Sequence, residues 1–205
     1  MYIELKNTHK PIDYIDSMKI LEKRVKDVIN DEKDELLWIL EHNMVYTAGT
    51  SSKDEDILEK NLKILKTNRG GKHTLHAPGQ KVIYFVLNLN KRKKDIRVLV
   101  QKIEKCIIEI LKEYKIKSYS DRKNIGIWVE NKNKLMKIAA IGIRVKKWIA
   151  YHGFSINVNN DLSLYKKITP CGIKNKGVTS LREMGIKNFS NIDKVIIEKF
   201  LNTFL

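Results

Sequence analysis

Between Pro11 and Ile29 apolar residues return every three or four positions, at Ile15, Met18, Leu21, Val25, Val28 and Ile29, with Lys, Asp and Glu between them. That spacing gathers the apolar set on one side of a helix, so an amphipathic α-helix is predicted over residues 11–29 and broken by 30–34. The period returns over 95–114, where Asp95 is placed to cap the first turn. It returns again over 191–204, with Ile192, Val195, Ile196 and Phe200 on one side. Residues 35–41 and 81–89 differ: they are short apolar runs rich in residues that favour strands, and they read as central strands. Residues 125–129, 135–145 and 148–158 are three more strand-like segments. Asn131-Lys132-Asn133-Lys134 supplies the first turn between them, so an antiparallel meander is predicted. Helices and strands in mixed order predict a mixed α+β (α/β) layer fold.

The 205 residues suffice for one well-cored domain, expected to span 1–205, since no Gly/Ser/Pro-rich stretch marks a linker. No apolar run approaches the ~20 residues of a membrane helix. The opening residues lack the apolar block of a signal peptide, and the two cysteines make no disulfide framework, which places the chain in the cytoplasm. Forty Lys and Arg against 24 Asp and Glu give a formal charge of +16, enough to attract an acidic partner. The cations are scattered beside plentiful Ile and Asn, the pattern of a genome-wide bias in composition. No zinc-finger cysteines, RNA-binding aromatic signature or basic helix with heptads accompanies them, so an acidic protein fits as well as nucleic acid.

Chemistry first shows at Thr169-Pro170-Cys171-Gly172, where proline and glycine put a thiol on a turn that a substrate can reach. Cys106 instead shares a helical face with Ile103, Ile107, Ile110 and Leu111, where a thiol is a small hydrophobe. The segment Arg69 to Gln80 holds three glycines, two histidines and two cations before a buried strand. It is either a loop whose backbone a ligand approaches, with Arg69 and Lys72 holding an anionic or polarised group, or a tight turn that needs glycine. Its spacing is neither a Walker P-loop nor a dinucleotide fingerprint. His73, His76, His152 and Cys171 are of zinc-binding type, but no His-Glu-x-x-His or Cys-x-x-Cys pattern joins them, and no metal is expected. Lys137 heads a run of small apolar residues. It is either the solvated end of a strand or, turned into a pocket, a charge that favours a nearby thiolate. Gly153 in mid-strand marks a bulge or a close backbone approach.

Taken in order, Arg69-Gly70-Gly71 to Gln80, Lys137 to Arg144, Tyr151-His152-Gly153-Phe154, Asn157-Val158-Asn159, Asp161-Leu162-Ser163 and Pro170-Cys171-Gly172 resemble the lipoyl(octanoyl) transferases. Glu41-His42, Val45-Tyr46-Thr47 and Gly177 to Leu181 extend the likeness over residues 35–185. The resemblance implies the catalytic fold shared with biotin and lipoate protein ligases, a mixed sheet flanked by helices. It implies octanoyl transfer from acyl carrier protein to a lysine of lipoyl domains, those of 2-oxoacid dehydrogenase complexes and the glycine cleavage H protein. It assigns Cys171 as the acylated nucleophile and Lys137 as its basic partner. Substrate is expected against Arg69, Gly70, Gly71, Lys72, His73, Thr74, Leu75 and His76, against Ala140, Ile141 and Gly142, and against Gly153, Phe154 and Ser155. No cofactor, metal, nucleic acid or membrane is implied. The family has an aromatic where this chain has Leu75 and glycine where it has Ala77. An ATP-dependent lipoate or biotin ligase is the alternative within the fold, and it needs no nucleophilic cysteine.

Overall fold

A computed structural model describes residues 2–131, 133–169 and 177–205. Helix α1 (Tyr14–Ile29) links strands β1 (Ile3–Asn7) and β2 (Glu35–Leu40), which lie parallel. After β3 (Val45–Ala48), β4 (Ile64–Lys66) and β5 (His73–His76) come β6 (Gln80–Asn88) and α2 (Ile96–Glu113). The chain continues through β7 (Ser118–Ser120), β8 (Ile127–Asn131), β9 (Lys134–Lys146), β10 (Ile149–Asn157), β11 (Gly177–Val178) and α3 (Ile192–Phe204). Among the described residues the large sheet has the order β1-β2-β6-β10-β9-β8-β7, with β11 parallel to β9. A mixed sheet flanked by helices is the predicted fold class, and the meander β8-β9-β10 is antiparallel as expected.

The continuous apolar runs of β2 and β6 are explained by cover on both faces. Leu37, Ile39, Ile83, Phe85 and Leu87 join the core under α2 and α3, while Leu36, Trp38, Leu40, Val82, Tyr84 and Val86 pack with Leu21, Val25 and Val28 of α1. Cys106 lies wholly inside the first core, as its helical spacing predicts.

Two sequence expectations need correction. Helix α1 starts at Tyr14 and not at Pro11, because the Asp13 carboxylate accepts hydrogen bonds from the N–H groups of Ile15 (2.8 Å) and Asp16 (3.3 Å). Its buried side turns accordingly: Tyr14 and Ser17 face in, and Ile15 is 51% exposed. Part of the glycine-rich segment is strand. His73–His76 pairs antiparallel with β3, which also pairs parallel with β4, giving a second, three-stranded sheet. Its own small core holds Tyr46, Leu75, Ala77, Tyr165 and Ile168.

Candidate active site

Strands β5, β6, β9 and β10 and the start of α2 surround a cavity of about 430 Å³. Of the residues expected to meet substrate, Arg69 to Thr74, His76, Ala140 to Gly142 and Gly153 to Ser155 all line it. Leu75 does not: it points into the small core beside Ala77. The chain's two departures from the family pattern therefore fall together behind the wall, away from the cavity. Among the described residues the lining includes Arg69, Lys72, Lys123 and Lys137 and no acidic side chain.

The glycine-rich segment reaches β9 through Gly70, whose N–H donates to the Ile143 carbonyl (3.2 Å). Buried Arg69 fixes it from inside: Nη2 donates to the Thr47 carbonyl (2.9 Å) and hydroxyl (2.7 Å), and Nη1 to the Gly70 carbonyl (3.0 Å). Its guanidinium thus ties β3 to this wall. Lys72 Nζ lies 3.8 Å from the Asp56 carboxylate.

Lys137 is 5% exposed and lines the cavity, so it is not a solvated strand end. Its Nζ donates to the Ile125 carbonyl (2.9 Å) and stands 4.8 Å from the centre of the Trp128 ring, a cation–π arrangement. Gly126, at φ 133°, makes room for it, since a Cβ there would lie 3.0 Å from Lys137 Cε and 2.8 Å from the Ala139 carbonyl oxygen.

Cys171, with Pro170 and Gly172, lies outside the described residues. The chain on either side of that segment is well held. Before it, the Thr169 N–H donates to the Asp56 carbonyl (2.7 Å). After it, Val178 is the register partner of Lys137, and the Thr179 N–H donates to the Lys137 carbonyl (2.9 Å). A buried amide pair supports this contact: Asn157 Nδ2 donates to the Thr179 carbonyl (3.0 Å), and Gln80 Nε2 donates to Asn157 Oδ1 (2.9 Å). Sequence reading quotes Asn157 and Gln80 within motifs without giving them a task, and it passes over Gly126 and Trp128. A glycine one residue ahead of an apolar strand was the available signal for Gly126.

Three buried imidazoles and two tyrosines lie together at one side of the cavity. His42 Nδ1 donates to the Ile12 carbonyl (3.0 Å) and its Nε2 accepts from the Tyr84 hydroxyl (2.8 Å). His76 Nδ1 donates to Gln80 Oε1 (2.7 Å), and His152 Nε2 to Asn68 Oδ1 (2.7 Å). Tyr14 stacks on His76 at 6.0 Å. These partners fix neutral tautomers. Among the described residues no group of three His, Cys, Asp or Glu is placed to hold a metal. His152 reaches this cluster from a backbone φ of 66°, which puts its ring against that of its neighbour Tyr151, 4.9 Å away.

Burial, above all, holds His42 at about 4 and His76 and His152 at about 3, below the ordinary 6.5. The unfolded chain takes up protons on these rings below about pH 6.5 while the folded chain does not. Their neutral burial is therefore free of a pH penalty above 6.5, and stability falls as the pH drops from there toward 4. The slope is up to about 1.4 kcal/mol per pH unit for each ring. Urea midpoints measured from pH 7 to 4.5 are expected to fall less steeply in His76→Asn than in the parent. Equal slopes would mean that His76 adds nothing to the acid sensitivity.

Residues 13–204 match the family described as the lipoyl protein ligase A/B catalytic domain. An octanoyltransferase of Wolbachia sp. subsp. Brugia malayi is 45% identical over 195 residues, 94% of this chain and 95% of its own. That of Ehrlichia chaffeensis is 45% identical over 205 residues, 98% and 96% of the two chains. A bipartite lipoate protein ligase from Thermoplasma acidophilum superposes with a TM-score of 0.73 at 13% identity, covering 98% of this chain and 84% of its own. A biotin protein ligase from Aquifex aeolicus, in complex with biotin and ATP, gives 0.56 at 17% identity, covering 98% and 69%. The two solved structures share the fold. The sequence relatives share nearly the whole length at close to half identity, and with the family match they show that the chain belongs to the octanoyltransferases, acyl-transferring enzymes built on the lipoyl protein ligase A/B catalytic domain.

Proposed function

We propose that the enzyme transfers the octanoyl group by double displacement through a thioester on Cys171, from octanoyl-acyl carrier protein to a lysine of a lipoyl domain. The acceptors are the lipoyl domains of 2-oxoacid dehydrogenase complexes and the glycine cleavage H protein. The observation that carries the reading is Lys137. It is a buried amine on the wall of a mainly apolar cavity, and it pairs through its own backbone with the residues that follow the cysteine segment.

The proton of the Cys171 thiol rests on Lys137, and the thiolate attacks the donor carbonyl. A bond from Sγ to the acyl carbon forms, the bond to the carrier's sulfur breaks, and the departing thiolate takes the proton back from Lys137. The acceptor amine then attacks the acyl-enzyme. Its proton passes to Lys137 as the amide forms and the Cys171 thiolate leaves. Exchange between thioesters is nearly balanced and aminolysis runs downhill, so neither ATP nor metal is called for. Val82, Ile96, Val100, Ile141 and Phe154 supply apolar wall for the chain, where each buried methylene contributes about 0.8 kcal/mol.

Incubation with octanoyl-acyl carrier protein and no ATP, followed by intact-mass analysis, is expected to show one hydroxylamine-labile octanoyl adduct, mapped to Cys171. Burial pushes the Cys106 thiol up to about 12, so it stays protonated inside its core. An adduct on Cys106 would overturn the assignment, and transfer that requires ATP would favour a ligase.

A further inference from the structure

The cavity reaches the surface between the start of α2 and the segment leading into β8. Ile96 and Ile125 line it from these two elements while leaving 45% and 52% of their own surface exposed. Apolar side chains that are both wall and surface form a lip that a partner can cover. Trp148, 39% exposed, continues this surface, with Lys94 Nζ 6.0 Å from its ring centre.

Cations collar the lip: Lys93, Lys94 and Arg97 flank Ile96, and Arg122 and Lys123 precede Ile125, all exposed. None of them has an ion-pair partner among the described residues, whereas Lys72, Lys81, Arg92 and Lys199 elsewhere are paired. The acids in the same two stretches hold local hydrogen bonds. Asp95 accepts from the N–H of Arg97 (2.9 Å) and Val98 (3.2 Å), and Asp121 from the N–H of Lys123 (2.9 Å) and from Asn124 Nδ2 (2.7 Å). Five collar cations against these two carboxylates leave a net positive charge for the carboxylates of a partner.

We infer that this face docks the acyl donor as an acidic protein, with its carboxylates on the Arg97 and Arg122 collar and its acyl tether passing between Ile96 and Ile125. The inference rests on the transfer reading above and deepens it. The donor, and not the acceptor, is the occupant because Ile96 is lip as well as cavity wall and its helical neighbour Val100 continues that wall inward. A protein seated here covers an opening through which a tethered chain can enter, and the acceptor brings no chain.

The test compares the parent with an Arg97→Glu, Arg122→Glu double variant, using octanoyl-acyl carrier protein and a small neutral octanoyl thioester as donors. Reversing rim charges acts on encounter between proteins. KM for the carrier donor is expected to rise about tenfold, equivalent to ~1.4 kcal/mol, while kcat/KM for the small thioester and KM for the lipoyl domain stay within about twofold of the parent. An unchanged carrier KM overturns the proposal. A rise in KM for the lipoyl domain instead assigns the face to the acceptor, and an equal loss with both donors shows damage to the site; either result overturns it too. Absence of product from the parent with both donors would sink the transfer reading, and is distinct from a parent that accepts both.

Discussion

With methionine at position 137, both acylation of the enzyme and transfer to the acceptor are expected to slow by about 10²- to 10⁴-fold, the range for loss of a positioned acid–base group. The packing should tolerate the change, because the side chain lies against the Trp128 ring and Gly126. Lys137→Arg should separate the two half-reactions. Guanidinium keeps the positive charge beside the thiolate but does not give up its proton, so this variant should acylate better than it deacylates. Single-turnover measurements of adduct formation and of adduct decay with lipoyl domain check both statements. Near-parental rates for the methionine variant would leave Lys137 a structural residue and move the proton transfer elsewhere.

Gly153→Ala is expected to destabilise the fold by about 4 kcal/mol or more, well outside the usual effect of one added methyl. Gly153 sits at φ 157° in β10, and a Cβ there would lie 1.9 Å from the Ile83 carbonyl oxygen on β6. Relief requires β6 and β10 to part at the middle of the large sheet, where both faces are packed. Urea unfolding with an unchanged m-value would report the loss as stability. A change below about 1 kcal/mol would show that the strands adjust locally.

How much was readable in the sequence divides by the range of the interactions. The helices and the long strands follow from periodic apolar spacing, a local property, and so does the inert setting of Cys106. Lys137 is legible as a lysine leading a run of small residues, but its partners are not: the Ile125 carbonyl and the Trp128 ring come from another strand and the turn before it. The three-stranded sheet escapes the sequence because its strands have three or four residues each and one of them is His-Thr-Leu-His. Polar composition there marks cavity lining, while Leu75 alone points away into the small core. The inward turn of α1 does not follow from apolar spacing because a short polar residue, Asp13, sets where the helix begins.

The amide pair between Gln80 and Asn157 ties the chain that follows the cysteine segment to the pairing of two strands. These residues face each other at the end of the β6–β10 ladder, and Asn157 holds the Thr179 carbonyl beyond it. A slip of one residue in that ladder would shift the partner by roughly 3.3 Å and set Gly79 or Lys81 opposite Asn157 in place of the amide. A chain that folded with every helix intact but β6 out of step would thus be compact and catalytically empty. The accuracy of one strand pairing is a condition for the chemistry proposed for Cys171 and Lys137, which are in neither strand's range.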